Sequence, residues 1–292
     1  MNQSHGASFT DRLKSFCQYP LPQHAISRAV HWLTRIREPK VFKNWMIRGF
    51  VRRFGVDMAE AAQSEPTSYP SFNAFFTRAL RPDARPLATE ANAIVCPVDG
   101  TVSQAGSISE GRIFQAKGQS FTTAELLGGD TELAEQFDSG KFATLYLSPR
   151  DYHRIHTPLS GTLTQMRHVP GRLFSVNPPT TRAVPRLFAR NERVVTLFET
   201  AAGPMAVIMV GALNVGSIET VWAGEVTPPR GRKIRNWNYE DKQIRFDKGA
   251  EIGRFNMGST VIVLFAANRA NWNAVLAADA PVRMGQRIGT TL

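Results

Sequence analysis

Beyond Pro86 the sequence breaks into short runs of β-branched and aromatic residues, each closed by glycine, proline or a small polar cluster. No other feature constrains the fold as much, because these runs are too short to establish a helical period. Strands are predicted over 101–107, 112–117, 142–147, 162–168, 194–200, 205–211, 217–223 and 260–265. One interruption reads as a helix: Thr122-Thr123-Ala124-Glu125 has capping-box spacing, and Gly128 can close it. The most loop-like polar stretch of the second half is 236–242. The longest apolar runs, 206–213 and 261–267, are too short to span a bilayer.

Helical periodicity is confined to the N-terminal part. Over 23–37, Ile26, Ala29, Val30, Leu33 and Ile36 recur at steps of three and four, with Trp32 at the edge of that face. Ser27, Arg28, His31, Thr34, Arg35 and Arg37 occupy the remainder. Pro39 ends the segment. A second helix is expected beyond it, with Phe42, Trp45, Met46, Phe50 and Phe54 on one side and Lys40, Lys43, Arg48, Arg52 and Arg53 around them. Two readings stand: ordinary helices packed on a core with solvated basic faces, or interfacial helices lying on an anionic membrane. The small, polar stretch 59–69 marks a boundary, after which Ser71 can cap a short helix bearing Phe72, Phe75, Phe76 and Leu80, broken by 81–86. The expected class is α+β, mainly β, with antiparallel or mixed sheets in a barrel- or sandwich-like core behind amphipathic helices.

A net charge of +11 asks for an anionic partner: nucleic acid, an anionic membrane or an acidic substrate. Two cysteines, Cys17 and Cys96, supply neither a disulfide framework nor a multi-cysteine metal site and fit a reducing compartment. The first residues lack the basic stretch and apolar core of a signal peptide, so a chain without a leader or membrane span is expected.

Three stretches carry candidate chemistry. Met257-Gly258-Ser259-Thr260 opens the apolar run 261–265 and by itself reads as a turn into a buried strand. Asp99-Gly100 is a common turn pair. His153 and His156, bracketed by Pro149 and Pro158, belong on a loop after the 142–147 strand; a metal site would need a third ligand that no spacing supplies. Together, a serine, a histidine and an aspartate from separate segments are the parts of an activated nucleophile.

These motifs resemble the phosphatidylserine decarboxylases. The likeness runs from Tyr69-Pro70-Ser71-Phe72 through Pro97-Val98-Asp99-Gly100, the run 147–156 and Gly171-Arg172-Leu173-Phe174-Ser175-Val176-Asn177. It continues through Phe188-Ala189-Arg190-Asn191-Glu192-Arg193 and 210–218 to Gly253-Arg254-Phe255-Asn256-Met257-Gly258-Ser259-Thr260, with Met257 where the family often has leucine. The resemblance implies a proenzyme that cleaves itself between Gly258 and Ser259 into a β chain, 1–258, and an α chain, 259–292, which stay associated. Ser259 would become an N-terminal pyruvoyl group, taking the place of pyridoxal phosphate, with no metal required. His156 would be the base that activates Ser259, Asp99 would fix the tautomer of His156, and His153 would serve decarboxylation. The pyruvoyl ketone would bind the serine amine of phosphatidylserine as a Schiff base, releasing carbon dioxide and then phosphatidylethanolamine. The resemblance further implies a basic membrane-association region over 1–66, a β-rich catalytic domain over 67–292, peripheral attachment to the cytoplasmic face of the cell membrane and a homodimer of cleaved protomers. Two rival readings are weaker. A serine hydrolase lacks its Gly-x-Ser-x-Gly elbow here, and for a nucleic-acid binder the basic residues cluster on amphipathic helices without a recognised binding motif.

Overall fold

A computed structural model of the chain describes residues 7–213, 217–227, 233–256 and 259–292. Its centre is the strand Thr260–Phe265, paired on one side with Gly203–Val210 and on the other with Lys141–Tyr146. Val261, Val263 and Phe265 enter one apolar cluster while Ile262 and Leu264 enter the cluster on the opposite face. A strand covered on both faces has no polar side to present, hence its unbroken apolar run.

Around it lies a nine-stranded sheet, in the order Arg235–Asn238, Gly161–Val169, Arg193–Thr200, Gly203–Val210, Thr260–Phe265, Lys141–Tyr146, Gly100–Ser107 and Pro281–Val282, with Arg245–Phe246 also on Gly161–Val169. The pairings in this sheet are antiparallel. Among the described residues the ladder runs from edge to edge and does not close into a barrel. A four-stranded antiparallel sheet, in the order Gly224–Glu225, Ile218–Thr220, Glu251–Phe255 and Arg154–His156, completes the site region. The architecture is α+β and mainly β, as the punctuated runs imply.

Two loop expectations need correction. His156 lies in the strand Arg154–His156, whose middle residue, Ile155, is buried in the main core. Pro149 and Pro158 do exclude a long helix, but three residues are too few for a period-two pattern to show. The polar stretch at 236–242 contributes the edge strand Arg235–Asn238, registered on Gln165–His168, before a 3-10 turn at Glu240–Lys242. Its backbone pairing, not its composition, makes it a strand.

The first three helices are α1 (Phe9–Phe16), α2 (Gln23–Thr34) and α3 (Lys40–Phe54), followed by α4 (Phe72–Phe76), which Ser71 caps as expected. Residues 9–16 were not anticipated as a helix, although Ser8 and Asp11 form a capping box there. In α1 and α2 the buried side is polar: Asp11, Ser15, Gln23, Ser27 and Thr34. The two helices and the turn between them meet the segment 171–182. Asp11 pairs with Arg182 at 3.0 Å, Gln18 accepts from the Ser175 N–H at 2.8 Å, Gln23 accepts from the Leu173 N–H at 2.9 Å, and His24 Nε2 lies 2.9 Å from the Gly171 carbonyl. Backbone groups of that segment need partners, and the helices supply them. The apolar residues of α1 and α2 consequently face outward, with Trp32 70% exposed, and Trp45 of α3 is exposed to the same extent. A small third core joins Ile47 and Val56 to Tyr69, Phe72, Phe75 and Phe76, and so crosses position 66.

Candidate active site

Ser259 stands at the entrance to the central strand, wholly buried, with no partner for its Oγ among the described residues. Its carbonyl accepts the Leu147 N–H at 2.9 Å, while the Phe255 N–H donates to the His153 carbonyl at 3.0 Å. The connections 147–153 and 255–259 are therefore pinned together at both ends, with His153 at one end and Ser259 at the other. Met257 and Gly258, including the expected cleavage position, lie outside the described residues, as do 214–216 of the quoted run. Just before them, Asn256 is held by three bonds to two neighbours. Its Nδ2 donates to Ser217 Oγ at 2.5 Å, its N–H to the Ser217 carbonyl at 2.9 Å, and its Oδ1 accepts from Asn73 Nδ2 at 3.0 Å.

His153 is fully buried, its ring centroid 4.1 Å from that of Phe76. Its Nδ1 lies 2.8 Å from the Asp151 carbonyl. A carbonyl only accepts, so Nδ1 carries the proton and Nε2, which has no partner among the described residues, presents a lone pair. Burial pushes this histidine down to about 3, the bond to Asp151 opposing and the nearby Arg78 charge assisting. It is neutral at physiological pH.

His156 is set by the same logic. Nδ1 donates to the Gly249 carbonyl at 2.8 Å, and Nε2 accepts the Tyr152 hydroxyl at 3.1 Å. Burial holds this histidine below its ordinary value. Burial also raises Tyr152 to about 12, so its phenol keeps its proton and donates. The tautomer is thus fixed by a backbone carbonyl, not by Asp99 as expected from the sequence.

Asp99 instead sits in a clamp. Arg85 Nε donates to its two oxygens at 2.9 and 3.1 Å, Arg85 Nη2 donates at 2.5 Å, and the Met284 N–H adds a bond at 2.9 Å. Its negative charge reaches His156 through space and favours the imidazolium. Gly100 follows because a Cβ there would strike the Tyr146 carbonyl, so the Asp-Gly pair marks close strand approach as well as a turn. Among the described residues no hydrogen bond links Asp99, His156 and Ser259. Gly249, Tyr152, Phe76 and Arg85 were missed as site residues. Tyr152 was visible within the quoted run 147–156, whereas the Arg85–Asp99 clamp is a long-range pairing with no local sign.

A family model described as phosphatidylserine decarboxylase matches residues 72–290, and a second, described as PSD, matches 13–55. A protein of Methylococcus capsulatus is 58% identical over 284 residues, covering 97% of this chain and 98% of that protein. One from Alkalilimnicola ehrlichii is 63% identical over 259 residues, covering 88% and 90%. One from Azotobacter vinelandii is 58% identical over 282 residues, covering 96% and 98%. All three bear the name phosphatidylserine decarboxylase proenzyme. Matched over most of its length by that model and by these relatives, the chain belongs to the phosphatidylserine decarboxylase family.

Proposed function

We propose that the chain is a proenzyme that cleaves itself between Gly258 and Ser259, converts Ser259 into a pyruvoyl group, and decarboxylates phosphatidylserine to phosphatidylethanolamine at an anionic membrane. One observation carries this reading: a fully buried serine hydroxyl without a partner among the described residues, at the mouth of a central strand and beside a segment that bears two neutral histidines. A buried polar group left unpaired is costly and marks a place where chemistry is kept ready.

Self-cleavage needs a base, an attack and a leaving group. His156 Nε2 takes the Ser259 hydroxyl proton, and Gly249 has already fixed the tautomer that leaves this nitrogen able to accept. Oγ then bonds to the carbonyl carbon of residue 258 as the carbon–nitrogen bond breaks, and the serine nitrogen leaves with the proton the imidazole took. Loss of the Ser259 α-proton expels Oγ as the new carboxylate of chain 1–258; water then replaces ammonia. Asp99 acts by its charge, lowering the cost of the imidazolium.

The pyruvoyl carbonyl supplies an electrophile for the substrate amine and a sink for the electrons released with carbon dioxide. The buried setting of Ser259, next to a segment whose His153 Nε2 has no partner among the described residues, fits such a group. In its tautomer His153 can only accept at Nε2, so it takes a proton from the substrate ammonium and returns it to the α-carbon after carbon dioxide has left. The phenyl ring of Phe76 keeps that side of the site apolar, which favours loss of a charged carboxylate.

Membrane attachment is supported by exposed apolar residues on the N-terminal helices: α1 and α2 turn Phe9, Phe16 and Trp32 to solvent while their buried residues are polar, and α3 adds Val41 and Trp45 beside its exposed basic residues. No described helix is long and apolar enough to cross a membrane. Peripheral attachment at the cytoplasmic face and a homodimer of cleaved protomers complete the proposal; light scattering after gel filtration tests the latter. The deciding experiment is the intact mass of the purified chain. The expected result is two pieces, 1–258 and 259–292, the second blocked to Edman degradation, with Ser259→Ala remaining whole and inactive. An active, uncut chain carrying an ordinary Ser259 would instead support a hydrolase.

A further inference from the structure

Beside the site lies a polar cavity of about 310 Å³, and Arg78, Asp99 and Tyr152 are among its walls. Tyr152 also donates to His156, so cavity and site share a wall. Arg78 follows the α4 helix that carries Phe76. Its Nη2 donates to the Arg150 carbonyl at 3.1 Å, and the next carbonyl, Asp151, holds His153 at 2.8 Å. The guanidinium and the imidazole are thus hung from adjacent peptide groups.

Arg78 is only 4% exposed, and its Nε and Nη1 have no partner among the described residues. A buried cation with open donors is costly unless an anion joins it. The acids lining the cavity act on Arg78 through space but, among the described residues, none bonds its Nε or Nη1. Asp99 and Glu60 are both taken by Arg85, and Arg283 reaches Glu60 at 3.3 Å. Asp57 and Asp151 each accept a nearby backbone N–H, at 2.8 and 2.7 Å respectively. Burial lowers the proton affinity of Arg78, and the charges of Asp99, Asp151 and Glu60 offset this only in part.

We propose that Arg78 is the docking group for the phosphodiester of the lipid headgroup, which its open donors grip from the cavity. The assignment rests on the decarboxylase reading above. The substrate offers two anions, and the chemistry separates them. A guanidinium on the carboxylate would stabilise the very bond that must break, whereas the phosphodiester keeps its charge throughout. A contact equal in ground state and transition state sets KM and leaves kcat alone.

The test uses the full-length, self-cleaved protein with dihexanoyl-phosphatidylserine, comparing wild type, Arg78→Gln and Arg78→Lys. Chain cleavage is read separately on a gel. The expected result for Arg78→Gln is a KM raised about tenfold or more, from the loss of charge-assisted bonds, with kcat within about threefold of wild type. Inhibition by dihexanoyl-phosphatidylethanolamine, which has the phosphodiester but no carboxylate, should weaken by the same factor. A raised KM with that inhibition unchanged would mean that Arg78 grips the carboxylate, and a fall in kcat at constant KM would mean that it acts in the reaction; either overturns the proposal. So would competition by inorganic phosphate as tight as that by the lipid, which would make the cavity a free-phosphate site. If Arg78→Gln does not accumulate cleaved, Arg78→Lys decides: a severalfold rise in KM with kcat retained supports the site, and an unchanged KM ends it. Wild type that releases no carbon dioxide would end the decarboxylase reading itself, and the site with it.

Discussion

His156 has a donor nitrogen tied to a backbone carbonyl and an acceptor nitrogen capped by a phenol, and this asymmetry makes its variants informative. His156→Ala should leave the chain uncut, whereas His153→Ala should cut normally yet lose decarboxylation about a hundredfold or more, as measured by carbon dioxide release. Normal cleavage in His156→Ala would refute the assignment. Tyr152→Phe removes a competitor for Nε2 and should cleave at least as fast as wild type; a block would make Tyr152 a proton relay instead. Arg85 is nearly enclosed between Asp99 and Glu60, so Arg85→Gln should cost about 3–5 kcal/mol, seen as a lower urea midpoint. Acid sensitivity follows from the two histidines. Both are depressed in the folded protein, His153 to about 3, while the unfolded chain binds their protons near 6.5. Their contribution is therefore complete above pH 6.5 and is lost as the pH falls toward 3. In uncleaved Ser259→Ala the urea midpoint should drop between pH 7.5 and pH 5, and adding His153→Gln should flatten that slope.

At the scale of elements, the outward tryptophans of α2 and α3 give the clearest prediction. Trp32→Ser combined with Trp45→Ser should weaken pelleting with anionic vesicles about tenfold or more while leaving chain cleavage intact, since each large apolar side chain is worth about 2 kcal/mol when buried. High salt should weaken the same binding by screening the basic residues of these helices. Undiminished pelleting of the double variant would remove the helices from the membrane proposal. The α2 periodicity was plain in the sequence, but a period alone does not say which side packs inward. Gln23 faces the body because the Leu173 N–H and the Arg172 guanidinium donate to its amide oxygen, a long-range fact no local pattern encodes. The runs at 205–211 and 260–265 were legible as strands because both faces are covered and composition alone marks them. Arg154–His156 was not, being three residues long, nor was Arg235–Asn238, whose partner lies some seventy positions earlier. The same contrast holds in the site: Ser259, His153, His156 and Asp99 stood in recognisable runs, while Gly249 acts through its carbonyl, a group every residue has.

For the whole molecule, what matters is that the proposed break falls at the edge of the innermost strand and not in a surface loop. Thr260–Phe265 is hydrogen-bonded along both sides and buried on both faces, so the piece 259–292 should co-purify with 1–258 until denatured, and salt or dilution should not separate them. Its departure would open the middle of the sheet and empty both apolar clusters together. The same placement gives the molecule a one-way history. The sheet is assembled while its central strand is still tethered, when finding the right slot is an intramolecular search; once the tether is cut, a denatured protein faces a search between two separate molecules. Ser259→Ala should therefore regain its fold after urea with a yield independent of protein concentration, whereas the processed form should recover poorly and better when concentrated. The processed protein would thus persist by the slowness of its unfolding more than by its capacity to re-form, like a spring latch that closes once and has no key.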